Sequence, residues 1–182
     1  GIGKATAIQF AQNNYQLILT GRRNDRLVAL KNELSASYQT AILTLNFDVQ
    51  DNEAVQNALA SLPADWKKID VLVNNAGLSL GLDPIQRANL ADWEQMIDTN
   101  VKGLLYVSKI VSNWMIENKT GHIINIGSIA GKETYANGNV YCATKHAVDS
   151  LNKAMRLDLL TSGIRVTAIH PGAVETEFSV VR

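Results

Sequence analysis

Segments with helical periodicity alternate with short, branched-aliphatic segments along this chain, and this alternation restricts its fold most. Apolar residues recur at helical spacing in residues 4–13, 24–37, 52–61, 90–117 and 139–161. Between and after these lie five segments typical of buried strands: YQLILT, AILTLNFDV, DVLVNNA, HIINIGS and IRVTAIHP. Parallel strands joined by single helices need right-handed crossovers, which place helices on both faces of the sheet. The sequence therefore predicts a doubly wound, three-layer α/β fold with a parallel sheet.

The size and charge of the chain narrow its class further. With 182 residues, 46% of them hydrophobic, it can bury the core of one domain, which we expect to span residues 1–182. Seventeen basic and seventeen acidic residues cancel, so neither nucleic acid nor an anionic membrane is expected as a partner. The sequence has one cysteine, Cys142, and no run of the roughly 20 apolar residues that span a bilayer. We therefore expect a soluble protein of the reducing cytoplasm.

Both ends of the sequence lack signals that usually open and close such a fold. The stretch GIGKATAIQFA begins with a glycine turn and a helix, where a strand is expected first. The stretch GAVETEFSVVR ends without a turn or cap signal. We therefore expect these residues to be part of a longer polypeptide, truncated at both ends.

Ligands of such sheets bind at the carboxyl ends of the strands, and the first candidate ligand there is a dinucleotide. Gly1, Ile2 and Gly3 open a helix, where glycine lets the backbone approach a pyrophosphate and the helix N-terminus offers free N–H groups. Arg22 and Arg23 follow the strand YQLILT, at the place where NAD-binding chains usually carry a carboxylate. A guanidinium binds the 2′-phosphate that a carboxylate would repel. The pattern favours NADP(H) over NAD(H), although a solvated basic turn would read the same way.

Two further loops carry candidates for contact with the nucleotide. Asp48 is expected to accept a hydrogen bond from the adenine amino group, and Val49 to line the pocket of the ring. Asn74 is expected to be a structural tie between strands. Asn75, Ala76 and Gly77 are candidates for contact with the cofactor. The small residues Ala76 and Gly77 let the backbone approach a flat ligand closely, and the amides before them fix the loop.

A candidate acid–base pair lies in the last predicted helix. Tyr141 and Lys145 are four residues apart, so their side chains share one helix face. A nearby ammonium favours the phenolate and lowers the tyrosine pKa, which would make Tyr141 a usable general acid or base. Ser128 ends the strand HIINIGS, where its hydroxyl can bind a substrate oxygen beside the phenol. The same tyrosine–lysine spacing also occurs on ordinary amphipathic surfaces, so its position opposite the nucleotide carries this interpretation.

Taken in order, the motifs GIG, NNAG, NVKG, GSIAG, YCATK and HPGAVET resemble those of the short-chain dehydrogenases/reductases. The resemblance covers nearly the whole chain and implies a Rossmann fold with a catalytic tetrad of Asn100, Ser128, Tyr141 and Lys145. It implies that Tyr141 exchanges a proton with the substrate oxygen and that Ser128 orients and polarises that oxygen. Lys145 would bind the nicotinamide ribose and lower the tyrosine pKa, and Asn100 would hold a water that links Lys145 to solvent.

The resemblance implies features outside the tetrad as well. The nicotinamide end of the cofactor would lie against Pro171, Gly172 and Thr176. The first strand of the family, which sits in the middle of the sheet, would precede Gly1. Relatives usually form tetramers through the helices that correspond to residues 90–117 and 139–161. A homotetramer is therefore implied, and its apolar surface would include Leu104, Leu105, Val107 and Val111.

Within this family the sequence is similar to NADP-dependent 3-hydroxy acid dehydrogenases that also act on serine and allo-threonine, through stretches such as TGRRNDRL and GNVYCATKHAV. This implies reversible oxidation of a 3-hydroxyl group, with hydride passing to NADP. Lys132 and Arg182 are candidates by position for binding a substrate carboxylate. Two alternatives stay open: a 3-ketoacyl or general carbonyl reductase of the same family, and a cofactor-binding protein without turnover.

No metal site is expected. His122, His146 and His170 show no ligand spacing with carboxylates or with Cys142, so they are predicted to be structural or solvent-facing. Cys142 has no paired base and is predicted to be a packed helix thiol.

Overall fold

A computed structural model describes residues 1–176 and Phe178. Its helices are α1 (Ile2–Gln12), α2 (Asn24–Ser37), α3 (Asn52–Ala60), α4 (Leu90–Ile97), α5 (Leu104–Asn118) and α6 (Asn139–Asp158). Its strands are β1 (Leu17–Gly21), β2 (Ile42–Asn46), β3 (Val71–Asn74), β4 (Gly121–Ile126) and β5 (Ile164–Ile169). Four of the predicted strands extend two or three residues too far, and those residues form the loops that carry the candidate site.

Every strand pair in the described residues is parallel. β1 pairs with β2 from Leu17 opposite Ile42 to Gly21 opposite Asn46. β3, β4 and β5 form a second hydrogen-bonded sheet in that order. β1 and β3 belong to separate hydrogen-bonded sheets. The predicted parallel α/β arrangement is confirmed.

Helices cover both faces of the strands, and neighbouring residues of β2 show this directly. Ile42 packs into a core cluster with Ala7 and Ala11 of α1 and with residues of α2. Leu43, the next residue, packs instead into the larger cluster, which includes Val55 of α3. Successive side chains of a strand point to opposite faces, so the two clusters lie on opposite sides of the sheet. The doubly wound arrangement follows from this alternation.

The predicted single helix over residues 90–117 is wrong in its middle. Residues Asp98–Gly103 form a π-helical segment between α4 and α5. A Cβ atom added to Gly103 would lie 2.6 Å from Cγ2 of Val49, so only glycine lets this segment approach the loop after β2. Such π-helical bulges often occur at functional sites. This one carries Asn100, which is 2% exposed.

A row of buried amides fixes β3, β4 and α6 relative to one another. Nδ2 of Asn74 donates to Oδ1 of Asn125 (2.8 Å) and to Oγ of Ser108 on α5 (2.9 Å). Nδ2 of Asn125 donates in turn to Oδ1 of Asn152 on α6 (3.0 Å). The predicted structural role of Asn74 is confirmed. In the described part of the chain, no helix is long and apolar enough to cross a membrane.

Candidate active site

Ser128 and Tyr141 meet beyond the carboxyl end of β4. Ser128 begins the 3₁₀ turn Ile129–Gly131, and its hydroxyl accepts a hydrogen bond from the N–H of Ala130 (3.1 Å). Tyr141 lies in the first turn of α6 and is 8% exposed. The two side chains share a hydrogen bond. The structure therefore joins the predicted proton-transfer group to the predicted orienting group.

The environment of Tyr141 favours the protonated phenol. Burial is the strongest influence, and it raises the tyrosine pKa above its usual value of 10.0, since a phenolate is poorly solvated there. The hydrogen bond with Ser128 acts in the opposite direction. Nζ of Lys145 is 5.9 Å from the centroid of the phenol ring. The net shift of the Tyr141 pKa is therefore upward. The expected lowering by Lys145 stays a prediction.

Lys145 is almost completely buried behind Tyr141. It is 6% exposed, and its ammonium donates a 2.9 Å hydrogen bond to the carbonyl oxygen of Ile126 at the end of β4. Burial lowers the pKa of this lysine to about 8. A Cβ atom added to Gly77 would lie 3.5 Å from Nζ, at ordinary van der Waals distance, so the loop after β3 lies next to the ammonium.

Asn100 ties that same loop to α6. Its Oδ1 accepts from the N–H of Leu78 (2.8 Å), and its Nδ2 donates to the carbonyl oxygen of Leu78 (2.8 Å) and to Oγ1 of Thr144 (3.0 Å). The side-chain amide thereby makes three hydrogen bonds within the protein. The implied water between Asn100 and Lys145 stays a prediction. Thr144 was missed from sequence, although it stands directly before Lys145 in YCATK.

The glycine turn lies near the far end of the described chain. A Cβ atom added to Gly3 would lie 2.6 Å from Nδ2 of Asn75, which shows how closely α1 begins against the loop after β3. A Cβ atom added to Gly1 would lie 3.6 Å from Cβ of Thr176. Ile2 is the first residue of α1. The structure thus brings together predicted cofactor contacts from both ends of the sequence.

The predicted contacts with the adenosine half of the cofactor lie beside β1 and β2. Nη1 of Arg22 is 3.5 Å from Oδ2 of Asp48, and the arginine side chain is 58% exposed. Arg23 occupies the N-cap position of α2. Val49 packs against Gly103, so its side chain also helps to place the π-helical segment. Because the Arg22–Asp48 pair is long and exposed, it leaves the guanidinium accessible to an anion.

Three other predicted cofactor contacts lie in loops at the same edge of the sheets. Ala76 is exposed in the loop after β3. The carbonyl oxygen of Pro171 accepts from the N–H of Ile129 (3.0 Å), which ties the loop after β5 to the Ser128 turn. A Cβ atom added to Gly172 would meet no atom within 4 Å. The backbone at Gly172 is therefore open to a ligand.

The remaining predictions have mixed outcomes. Lys132, a candidate for the substrate carboxylate, forms an ion pair with Asp149 (2.7 Å). Arg182, the other candidate, lies outside the described residues. Cys142 is fully buried, as predicted, and burial raises its pKa. Among the described residues, no group of three or more His, Cys, Asp or Glu side chains is arranged to hold a metal.

Sequence reasoning also missed Phe178 and the environment of His170. The ring centroids of Phe178 and Tyr141 are 6.1 Å apart, so an apolar group stands beside the phenol. Nδ1 of His170 is 3.1 Å from the carbonyl oxygen of Ser128. Neither contact had a local signal, because each joins residues more than 35 positions apart.

A buried protonated phenol, a hydroxyl bonded to it and a buried amine form a compact group at the strand ends. The phenol can give a proton to a ligand oxygen that the serine hydroxyl orients. The N-terminus of α1 at the glycine turn and the exposed guanidinium of Arg22 fit a phosphate-bearing ligand along the same edge. This arrangement suits proton transfer coupled to a bound dinucleotide.

Comparison with known proteins points to the same chemistry. A model of the short chain dehydrogenase family matches residues 1–181. The chain is 51% identical to the NADP-dependent 3-hydroxy acid dehydrogenase YdfG of Salmonella typhi over 183 aligned positions, which cover 100% of this chain and 72% of that protein. Serine dehydrogenase from Escherichia coli superposes with a TM-score of 0.91 at 46% identity, covering 100% of this chain and 83% of that chain. The closed form of serine dehydrogenase complexed with NADP+ gives 0.90 at 49% identity, covering 99% and 72%.

Proposed function

The chain belongs to the short chain dehydrogenase family, and from this premise we propose that its substrate is a small 3-hydroxy acid or a hydroxy amino acid such as serine or allo-threonine. The reaction transfers a hydride between NADP(H) and the carbinol or carbonyl carbon of that substrate. The proposal rests on one observation in the candidate active site: the buried phenol of Tyr141 is hydrogen-bonded to Ser128, and Nζ of Lys145 lies 5.9 Å from the centre of its ring.

The residues present fit an NADP(H) molecule. Gly1 is the N-cap of α1 and Gly3 lies in its first turn, so the free N–H groups of this helix N-terminus can bind a pyrophosphate. The exposed guanidinium of Arg22 would bind the 2′-phosphate, with Arg23 beside it. The nicotinamide end would lie between the loop at Gly77 and the loop at Pro171. When bound, the cofactor supplies or accepts the hydride.

The proton step follows from the state of Tyr141. In the direction of reduction, the phenol donates its proton to the carbonyl oxygen of the substrate while the hydride reaches the carbon. Ser128 donates a hydrogen bond to the same oxygen and polarises the carbonyl. In the direction of oxidation, the phenolate takes the proton back. Because burial raises the tyrosine pKa, we expect reduction to be favoured at neutral pH and oxidation to accelerate as the pH rises.

The direct test is Tyr141→Phe, which removes the hydroxyl and keeps the ring. We expect kcat for NADPH-dependent reduction to fall by about 10²–10⁴, the usual contribution of a positioned acid or base. Tyr15→Phe is a matched control, since Tyr15 packs edge-on against Phe10 at the surface. A Tyr141→Phe enzyme with full activity would refute the proposed role.

The substrate class needs its own assay. The second candidate, a 3-ketoacyl or general carbonyl reductase, uses the same four side chains, so the tetrad does not discriminate between them. A panel of 3-oxo acids, acetoacetyl thioesters and small ketones, read by NADPH consumption, separates the two, with serine oxidation run in reverse. Preference for thioesters or uncharged ketones over small 3-oxo acids would replace our substrate assignment.

We also propose a homotetramer in the cytoplasm. Leu104 and Val111 were predicted to form part of the subunit contact. Both are buried in the core of the chain, so they do not contribute to that surface. Leu105 is 38% exposed and lines a groove of about 260 Å³ between α5 and α6. Sedimentation of the protein at micromolar concentration tests the assembly, and a monomer would overturn it.

A further inference from the structure

Asp149 is the centre of a charged cluster next to the candidate active site. Nζ of Lys132 lies 2.7 Å from its Oδ1, and Nζ of Lys153 lies 2.8 Å from its Oδ2. Nε2 of His170 is 3.3 Å from Oδ1. The carboxylate side chain is only 13% exposed, and the hydrogen bonds from Lys132 and Lys153 lower its pKa to about 2.

Two of these three partners connect α6 to other parts of the fold. Lys132 directly follows the 3₁₀ turn that Ser128 begins. His170 follows β5, and its Nδ1 faces the carbonyl oxygen of Ser128 at 3.1 Å. The Ser128 carbonyl oxygen and the Asp149 carboxylate both only accept, so His170 bridges them when both of its ring nitrogens carry a proton and donate. Asp149 therefore reaches one end of the Ser128 turn through Lys132 and the other end through His170.

The same helix face carries the reacting groups. Tyr141, Lys145 and Asp149 follow one another at four-residue spacing on α6, so they lie in a row. The turn packs directly on this row, because a Cβ atom added to Gly131 would lie 2.5 Å from the carbonyl oxygen of Lys145. A shift of the turn away from α6 would move the Ser128 hydroxyl away from Tyr141.

We propose that Asp149 is a positioning residue that clamps residues 128–132 onto α6 through Lys132 and His170, and thereby holds the Ser128 hydroxyl at the Tyr141 phenol. This inference rests on the proposed function. This role differs from simple ion-pair stabilisation. It requires that catalysis depends on the links from Asp149 to the turn and to β5, and not only on the number of charges paired with Asp149.

The two lysines allow a matched test of this point. Lys132 and Lys153 contact the same carboxylate at nearly the same distance, but Lys153 lies on α6 itself and, within residues 1–176 and Phe178, is paired with no other element. Lys132→Met and Lys153→Met remove one positive charge each. Only the first removes a link to the turn. Lys132→Arg keeps both the charge and the link, and serves as the rescue variant.

We expect Lys132→Met and His170→Phe to lower kcat for carbonyl reduction by about tenfold, since small misplacement of a catalytic group is costly. Lys153→Met and Lys132→Arg should retain the wild-type kcat, and the Kd for NADPH should stay constant in all four variants. Hydrogen exchange of residues 128–132 should accelerate in Lys132→Met and His170→Phe alone. Loss of the hydrogen bond between Ser128 and Tyr141 should also move the pH profile of substrate oxidation to higher pH, because that bond lowers the Tyr141 pKa. Lys145 and Cys142, which lie beside the phenol, are unchanged in these variants.

Equal effects of Lys132→Met and Lys153→Met on kcat and on hydrogen exchange would overturn the clamp while leaving the proposed function intact. A wild-type protein without NADPH-dependent turnover on the substrate panel would refute the proposed function, and with it this inference.

Discussion

The buried ammonium of Lys145 should make the protein less stable at neutral pH than a variant without it. Lys145 is 6% exposed, and burial lowers its pKa from 10.5 to about 8. This drop corresponds to about 3 kcal/mol of preference for the neutral amine in the folded state. Lys145→Met removes the titrating group and keeps an unbranched, apolar side chain in the same space.

The dependence on pH gives the sharper measurement. Between pH 8 and 10.5 the unfolded chain binds more protons at Lys145 than the folded chain does, so the wild-type free energy of unfolding rises with pH in this window. The stability advantage of Lys145→Met over wild type should therefore shrink by about 2 kcal/mol from pH 7 to pH 9.5. The lost hydrogen bond to Ile126 is the same at every pH, so it does not affect this difference.

Urea unfolding of the protein without nucleotide, at five or six pH values, measures this difference. Lys153→Met is the control, because its side chain is 67% exposed on the same helix. Lys145→Met should also lose activity, so stability and function would change in opposite directions. A difference in the free energy of unfolding between wild type and Lys145→Met that stays constant across this pH range would refute the reasoning.

Three further predictions concern cofactor choice and packing. Arg22→Ala should weaken NADPH binding by about 1.5–3 kcal/mol and leave NADH binding unchanged, in a fluorescence titration; equal losses for both would contradict the 2′-phosphate assignment. Asn125→Leu removes the partner of Oδ1 of Asn152 and one of the two acceptors of Asn74, and should lower the free energy of unfolding by about 3 kcal/mol in urea; a neutral effect would show that the amide row is dispensable. Gly131→Ala should lower the free energy of unfolding by about 1–3 kcal/mol and lower kcat, because its Cβ would overlap the carbonyl of Lys145. Gly172→Ala is the control, since its Cβ would meet no atom within 4 Å and stability should be unchanged. Similar losses of stability in both variants would contradict this prediction.

The sequence predicted the alternation of helices and parallel strands because each element depends on local periodicity. The helix α2 begins and ends at the predicted residues, 24 and 37. The π-helical segment in the predicted long helix was not predicted, since it depends on the contact between Gly103 and Val49, which come from distant parts of the chain. The end of β2 was misplaced because Phe47 and Val49 continue the apolar pattern, whereas the pairing of β2 with β1 ends at Asn46.

The residues of the candidate site were identifiable from sequence because their chemistry and spacing are local. Tyr141 and Lys145 share a helix face through helix geometry alone, and Ser128 follows a strand whose carboxyl end must face the ligand edge. The tertiary structure decided how these groups behave. Burial raised the pKa of Tyr141 and lowered that of Lys145, and desolvation depends on everything packed around a group rather than on its neighbours in sequence. The tertiary structure also determined that Lys132 pairs with Asp149, because an ion pair forms between the charges that the fold places close together.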